Sequence, residues 1–223
     1  MAKKVVLYME ELKFLDFVRA KSGSKDGFLI ELEEYAHKNN VPIIKPEAAR
    51  FLEVICALKS PKNILEIGTA IGYSSMVMAN ALSKNVSIDT IEVSIDKVNI
   101  ARKNLEKYGF SNCIRVIYGD GTDVVMHLEK KYDLIFLDSS KGQYIDILSH
   151  CDKLLNTSGI LITDNIFCQG LLLDIQSIPR RKKTMVRNMN KFIDEVLSKN
   201  YRTSIISMGD GILISQKNGV DNL

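Results

Sequence analysis

Three oxygen-bearing side chains, Asp138, Asp164 and Asn165, directly follow apolar runs: Asp138 comes after YDLIFL, and Asp164 with Asn165 after GILIT. Runs of that length read as buried strands. Neighbouring parallel strands lie about 4.8 Å apart, so groups at their carboxyl ends can converge on one point. Two carboxylates and an amide oxygen are hard donors, suited to a divalent cation such as magnesium, with positions left for water or a substrate oxygen. A cation held there would activate and orient a hydroxyl. The plainer alternative is that Asp138 caps a helix and Asp164 with Asn165 forms a turn.

A second group surrounds the run NILEI. Gly68 and Gly72, in LEIGTAIGYSS, stand where this strand would meet its helix. Glycine suits a backbone that must approach a ligand or take positive φ. The carboxyl ends of parallel strands are where such folds bind ligands. The G-x-x-x-G spacing differs from the G-x-G-x-x-G pyrophosphate fingerprint, which counts against NAD; alone it could be a tight turn. Glu92 ends the second strand, twenty residues after Gly72, where an acid can accept both ribose hydroxyl hydrogens. Asp120 and Gly121 follow the third strand, where an adenine ring would lie. Each acid alone could be a solvated loop residue, but three successive strand ends with this chemistry suggest a nucleoside site.

Positioning these groups requires a sheet, and the text supplies one. Residues 1–60 read as helical: ELKFLDFVRA and GFLIELEEYAHKNN carry apolar residues at three- and four-residue intervals, and Pro46 can open a third helix, EAARFLEVICALK. NILEI, VSIDTIEV, CIRVIY, YDLIFLD and SGILITD then alternate with helices. Ser94 is placed to cap the helix SIDKVNIARKNLEKYG, and Gly109 to stop it. Such repetition predicts a parallel sheet with helices on both faces. After the helix KTMVRNMNKFIDEVLSK come YRTSIIS and GILISQK, with a Gly-Asp-Gly turn at 209–211. The expected architecture is α/β and three-layered, and with its antiparallel close it resembles the Rossmann-like class I methyltransferase fold. Its mostly parallel seven-stranded sheet would end in a C-terminal antiparallel hairpin. Residues 1–223 would form one domain, with residues 1–60 as a helical N-terminal cap.

Composition excludes other classes. Hydrophobic residues make up 46%, ordinary for a globular chain. No run approaches about 20 apolar residues, so no membrane span is expected. The start, MAKKVVLYMEELKF, lacks a signal-peptide pattern, which predicts a cytoplasmic protein. Cys56, Cys113, Cys151 and Cys168 are scattered without a CxxC pair and read as reduced thiols. His37, His127 and His150 lack zinc-type spacing. A net charge of +3 does not mark a general nucleic-acid binder, and DNA is not an expected partner. Any RNA contact must come from a local patch. Arg180, Arg181, Lys182, Lys183, Arg187 and Lys191 form one, with no acid between 178 and 193. A solvated helix face or loop is the alternative.

LEIGTAIGYSS, YDLIFLDSSKGQY and GILITDNIF resemble the cation-dependent O-methyltransferase family, which includes the catechol and caffeoyl-CoA enzymes. The likeness runs from VPIIKPEAARFL to the C-terminal strands. It implies S-adenosylmethionine as cofactor, contacted by Ile43, Glu66, Gly68, Ser74, Glu92 and Gly121, with Asp120 and Asp138 beside them. It also implies Lys141 as base or charge stabiliser at the substrate hydroxyl, next to Asp138, and a homodimer. The sequence departs from many small-molecule members at Ser140, where a D-x-D-K pattern has its second acid. KGQY and RRKKTMVRNMNKFI resemble more closely a bacterial branch that methylates 5-hydroxyuridine at the tRNA wobble position, giving 5-methoxyuridine. In 5-hydroxyuracil the 5-oxygen lies beside the 4-carbonyl oxygen, a pair able to chelate a metal as a catechol does. A small catechol-like or caffeoyl-CoA-like phenol is the second expectation, in an aromatic-lined pocket closed by the N-terminal helices. A catalytically inactive RNA-binding relative is the third. The intact set Asp138, Lys141, Asp164 and Asn165 argues against it.

Overall fold

The computed structural model describes residues 13–173 and 178–219. Helix α1 is described over 13–22, so the start of the segment ELKFLDFVRA lies outside the described residues. α2 (Gly27–Lys38) and α3 (Pro46–Lys59) follow, α3 with Pro46 in its first turn, where the missing N–H costs nothing. Then β1 (Asn63–Ile67), α4 (Tyr73–Ala81), β2 (Ser87–Glu92), α5 (Ile95–Lys107), β3 (Ile114–Tyr118), α6 (Gly121–Met126), β4 (Tyr132–Leu137), α7 (Tyr144–Leu154) and β5 (Leu155–Thr163) alternate. A 3₁₀ turn, Arg180–Lys182, runs into α8 (Lys183–Ser198), and β6 (Tyr201–Ile206) and β7 (Ile212–Lys217) complete the sheet.

The seven strands form one sheet in the order β3-β2-β1-β4-β5-β7-β6. β1 to β5 pair in parallel, while β7 inserts antiparallel between β5 and β6. Side chains of a strand alternate between faces, and each face here has its own core. Ile64, Ile88, Leu134, Phe136 and Ile162 pack with α2, α3, α4 and α5. Leu65, Ile67, Ile135, Leu137, Leu161 and Leu213 pack with α6, α7 and α8. The three-layer arrangement expected from the alternating text is the one observed.

Two local expectations need correction. Ser94 occupies the position before α5, but its side chain makes no cap; its N–H donates instead to Glu92 Oε1 at 3.0 Å. The fifth strand begins at Leu155 rather than Ser158, because Leu155 pairs with Tyr132 ahead of a register shift. Ser158 at φ +60 absorbs that irregularity, a conformation that gives no hydrophobic signal in the sequence.

Candidate active site

The parallel strands end together on one edge, above which opens a crevice of ≈ 940 Å³. Ile43, Gly68, Ser74, Glu92, Asp120, Gly121, Asp138 and Asn165 line it. That volume lies within the roughly 300–1,000 Å³ of small-molecule sites.

The floor is a backbone cradle. Gly68 follows β1 at φ +114, and a Cβ there would meet the Asp138 carbonyl oxygen at 2.0 Å. Only glycine lets β1 and β4 deliver their ends so close together. Beside it, Glu92 is buried; its Oε2 accepts the Ala70 N–H at 2.9 Å and its Oε1 that of Ser94. Both carboxylate oxygens are thus fixed by backbone while keeping acceptor capacity toward the crevice. Asp120 caps α6, accepting the Thr122 N–H at 2.8 Å and the Gln143 amide at 3.2 Å, and those bonds hold its carboxyl below the usual range.

Glu66 is placed differently from the other expected cofactor contacts. It points to the α4 side of the sheet, fully buried, and accepts from Ser74 Oγ at 2.5 Å, from Thr90 Oγ1 at 2.5 Å and from Ser75. Burial raises its carboxyl despite these three donors. It sits behind the crevice wall, positioned to hold Ser74, which does reach the wall.

At the other end of the crevice Asp138, which lines it, follows β4, and Asp164, buried and not itself part of the lining, follows β5. The Asp138 N–H donates to Ile67 O at 2.9 Å and the Asp164 N–H to Leu137 O at 3.0 Å, so the sheet ladder itself sets their spacing. Asn165 adopts φ +60, a left-handed conformation that asparagine tolerates. Its Nδ2 donates to Asp138 Oδ1 at 2.9 Å, and its N–H to Asp164 Oδ1 at 2.7 Å. The structure therefore brings all three predicted metal ligands together. Burial raises both carboxyls, and the Asp138 charge helps push Asp164 up to about 7. Among the described residues neither carboxylate has an ion-pair partner. The Lys141 charge opposes this rise without cancelling it, and two neighbouring buried carboxylates with no cation in ion-pair contact are costly. A divalent ion is the counter-charge this donor set fits, with the Asn165 amide oxygen as the third hard donor.

Lys141 lies on the β4–α7 loop beside the crevice lining rather than in it; its Nζ donates to Asp210 Oδ2 at 3.1 Å, and its charge is felt by Asp138 and Asp164. That loop is braced by Tyr144, whose hydroxyl accepts the Ser139 N–H at 3.0 Å. Asp210 had not stood out in the sequence beyond its place in a turn, and Gln143 only as part of KGQY. Gln169 also reaches the crevice rim, where its Oε1 accepts from Lys182 Nζ at 3.1 Å. Arg180, Arg181, Lys183 and Arg187 are exposed nearby in sequence, and Lys183, Arg187 and Lys191 share one face of α8 at four-residue spacing. Asn188, from the same helix, donates to Gly142 O at 3.0 Å.

Sheet order, antiparallel insertion and strand-end crevice together define a class I methyltransferase fold. The profile of the O-methyltransferase family matches residues 19–218. The catechol O-methyltransferase of Niastella koreensis is 29% identical over 161 residues, covering 70% of this chain and 73% of its own. A Staphylococcus aureus crystal structure, provisionally called a caffeoyl-CoA O-methyltransferase, superposes with a TM-score of 0.83 at 32% identity, covering 92% of this chain and 98% of that one. An O-methyltransferase from Bacillus cereus, solved in complex with SAH, gives a TM-score of 0.81 at 23% identity over 92% of this chain and 97% of its own, a likeness of fold. The chain belongs to the O-methyltransferase family and is an S-adenosylmethionine-dependent O-methyltransferase.

Proposed function

We propose that this enzyme methylates the 5-hydroxyl of 5-hydroxyuridine at the wobble position of tRNA, giving 5-methoxyuridine, with a divalent cation held by Asp138, Asp164 and Asn165. Magnesium suits those donors. When bound, the cation would lower the pKa of the acceptor hydroxyl and orient it. Gly68 admits the donor's backbone-hugging portion, Glu92 offers two fixed oxygens to a ribose diol, and Ser74, held by Glu66, offers a hydroxyl to the donor's polar tail. Lys141 brings an amine to the acceptor oxygen, to take its proton or to balance its charge. Crevice walls from α2 and the segment before α3 exclude water from the transfer, and alignment of acceptor and methyl group supplies much of the rate.

The observation that carries the tRNA reading is the attachment of the basic face to the site. Lys182 bonds Gln169 on the crevice rim, and Asn188 bonds the loop that carries Lys141. A polyanion lying along Arg180, Arg181, Lys183 and Arg187 would therefore meet the acceptor end of the crevice. Phosphate contacts of this kind position a nucleic acid without reading its sequence, leaving a splayed base to be recognised in the pocket. Relatives named for catechol and caffeoyl-CoA support the phenol reading instead. Yet among the described residues lining the crevice, Tyr73 carries the one benzene ring, and its hydroxyl is engaged with Glu33 at 2.5 Å. An aromatic-lined slot is what a phenol would call for. Incubating tRNA that bears 5-hydroxyuridine with enzyme, donor and magnesium should yield 5-methoxyuridine on mass analysis of its nucleosides. Untouched tRNA together with brisk methylation of catechol would replace this reading with the phenol one.

A homodimer is part of the same proposal. Phe14, Phe17 and Leu58, exposed by 71%, 63% and 79%, are apolar groups on the N-terminal helices suited to such a contact. Among the described residues no helix is long and apolar enough to cross a membrane. A tRNA substrate would suit a cytoplasmic enzyme.

A further inference from the structure

We propose that Asp210, at the tip of the β6–β7 hairpin, is a positioning residue that holds Lys141 beside the acceptor end of the crevice. This rests on the reading of Lys141 given above, which supplies the chemistry that Asp210 would serve.

A lysine has a long flexible stem and a compact charge, so its ammonium is useful at a reacting oxygen only when something fixes it. Among the described residues Asp210 is the one carboxylate in ion-pair contact with Lys141, at 3.1 Å. The pair is mostly shielded, with side chains 20% and 21% exposed, which sets it apart from the freely solvated pairs of the surface. Asp210 is itself rigidly held. Its two carboxylate oxygens lie 2.8 and 2.7 Å from the Gln169 N–H that donates to them, and its carbonyl oxygen accepts the Phe167 N–H at 2.8 Å. The Ile166 N–H donates to Gly211 O at 3.1 Å. Gly211, at φ +85, is what permits this descent of the hairpin: a Cβ there would lie 2.6 Å from the Phe167 ring.

Residues 166–169 follow Asn165 directly. One carboxylate thus locks the lysine from the β4–α7 loop to the segment that continues from the proposed cation ligands. It fixes the ammonium relative to the acceptor oxygen that those ligands would orient, and an ammonium paired with a carboxylate serves the charge-balancing role, since it has no lone pair to take a proton. Because Gln169 also receives Lys182, the same carboxylate lies one contact away from the basic face.

The test is a double-mutant cycle in the full-length enzyme, using whichever acceptor is turned over in the nucleoside assay. Turnover is counted per site that binds S-adenosylhomocysteine, which corrects for any unfolded fraction. Asp210→Asn should lower turnover by about tenfold to a hundredfold, the scale of a misplaced reacting group, with S-adenosylhomocysteine affinity within about twofold of wild type. Combined with Lys141→Ala, it should add almost nothing to the loss caused by Lys141→Ala alone. Wild-type turnover in Asp210→Asn, or losses that multiply in the double variant, would overturn the proposal while leaving the role of Lys141 standing. Wild-type turnover in Lys141→Ala would overturn that role, and the proposal with it.

Discussion

A single methyl group at position 68 would collide with the main chain of Asp138, which makes Gly68 the residue on which the two halves of the site depend. The clash at 2.0 Å and the φ of +114 act together. Gly68→Ala should therefore cost about 2–3 kcal/mol of stability, from backbone strain alone at the lower end. It should weaken S-adenosylhomocysteine binding by more than about tenfold, because relief of the clash must part β1 from β4. Thermal melting and calorimetric titration measure both, and a stable variant with wild-type affinity would contradict the cradle. At this scale the candidate site was legible near strand ends: Gly68, Glu92, Asp120, Asp138, Asp164 and Asn165 each end an apolar run or follow one within two residues. Glu66 was visible as an acid in a strand. Its direction was not, since strand alternation turns it toward α4 and into the hydroxyls of Ser74, Ser75 and Thr90. Asp210 was hidden for another reason. Its contact with Lys141 spans 69 residues and exists only because β7 lies against β5.

Among elements, the 3₁₀ turn and α8 carry the basic face that the proposed tRNA contact would use, and join it to the sheet. Val186, Met189, Phe192, Ile193 and Val196 bury one face of α8 in the core, leaving Lys183, Arg187 and Lys191 on another. That amphipathic pattern could be read from the sequence, and so could the density of positive charge. The location of the charge could not, because the bonds from Lys182 to Gln169 and from Asn188 to Gly142 join segments distant in sequence. If Arg180 and Arg181 meet phosphates, replacing both by glutamate should weaken tRNA binding at physiological salt. The slope of log affinity against log salt should fall by about 2, one for each lost phosphate contact. Filter binding across a salt series reads both quantities. An unchanged slope would assign these arginines to a solvated face and shift weight to a small acceptor.

Across the whole molecule, the sheet collects chemistry scattered along the chain and keeps it on one edge. Two cores, one on each face, hold the strands in register, so the strand ends are placed by the most deeply buried part of the protein. Element order and the C-terminal reversal made this architecture readable from the alternation of apolar runs and turn residues. The placement of β7 between β5 and β6, and the approach of the hairpin to the site, leave no local signal in the sequence. The near-balance of charge, +3 overall, is compatible with the proposed nucleic-acid contact only if that contact is local rather than general. The proposed shared cation at the ends of β4 and β5 is tested most directly by measuring methyl transfer in excess chelator, with S-adenosylhomocysteine binding followed on the same sample. Turnover should vanish while cofactor binding persists, and should return when magnesium is restored to the wild type but not to Asp164→Ala. Undiminished turnover in chelator would contradict it.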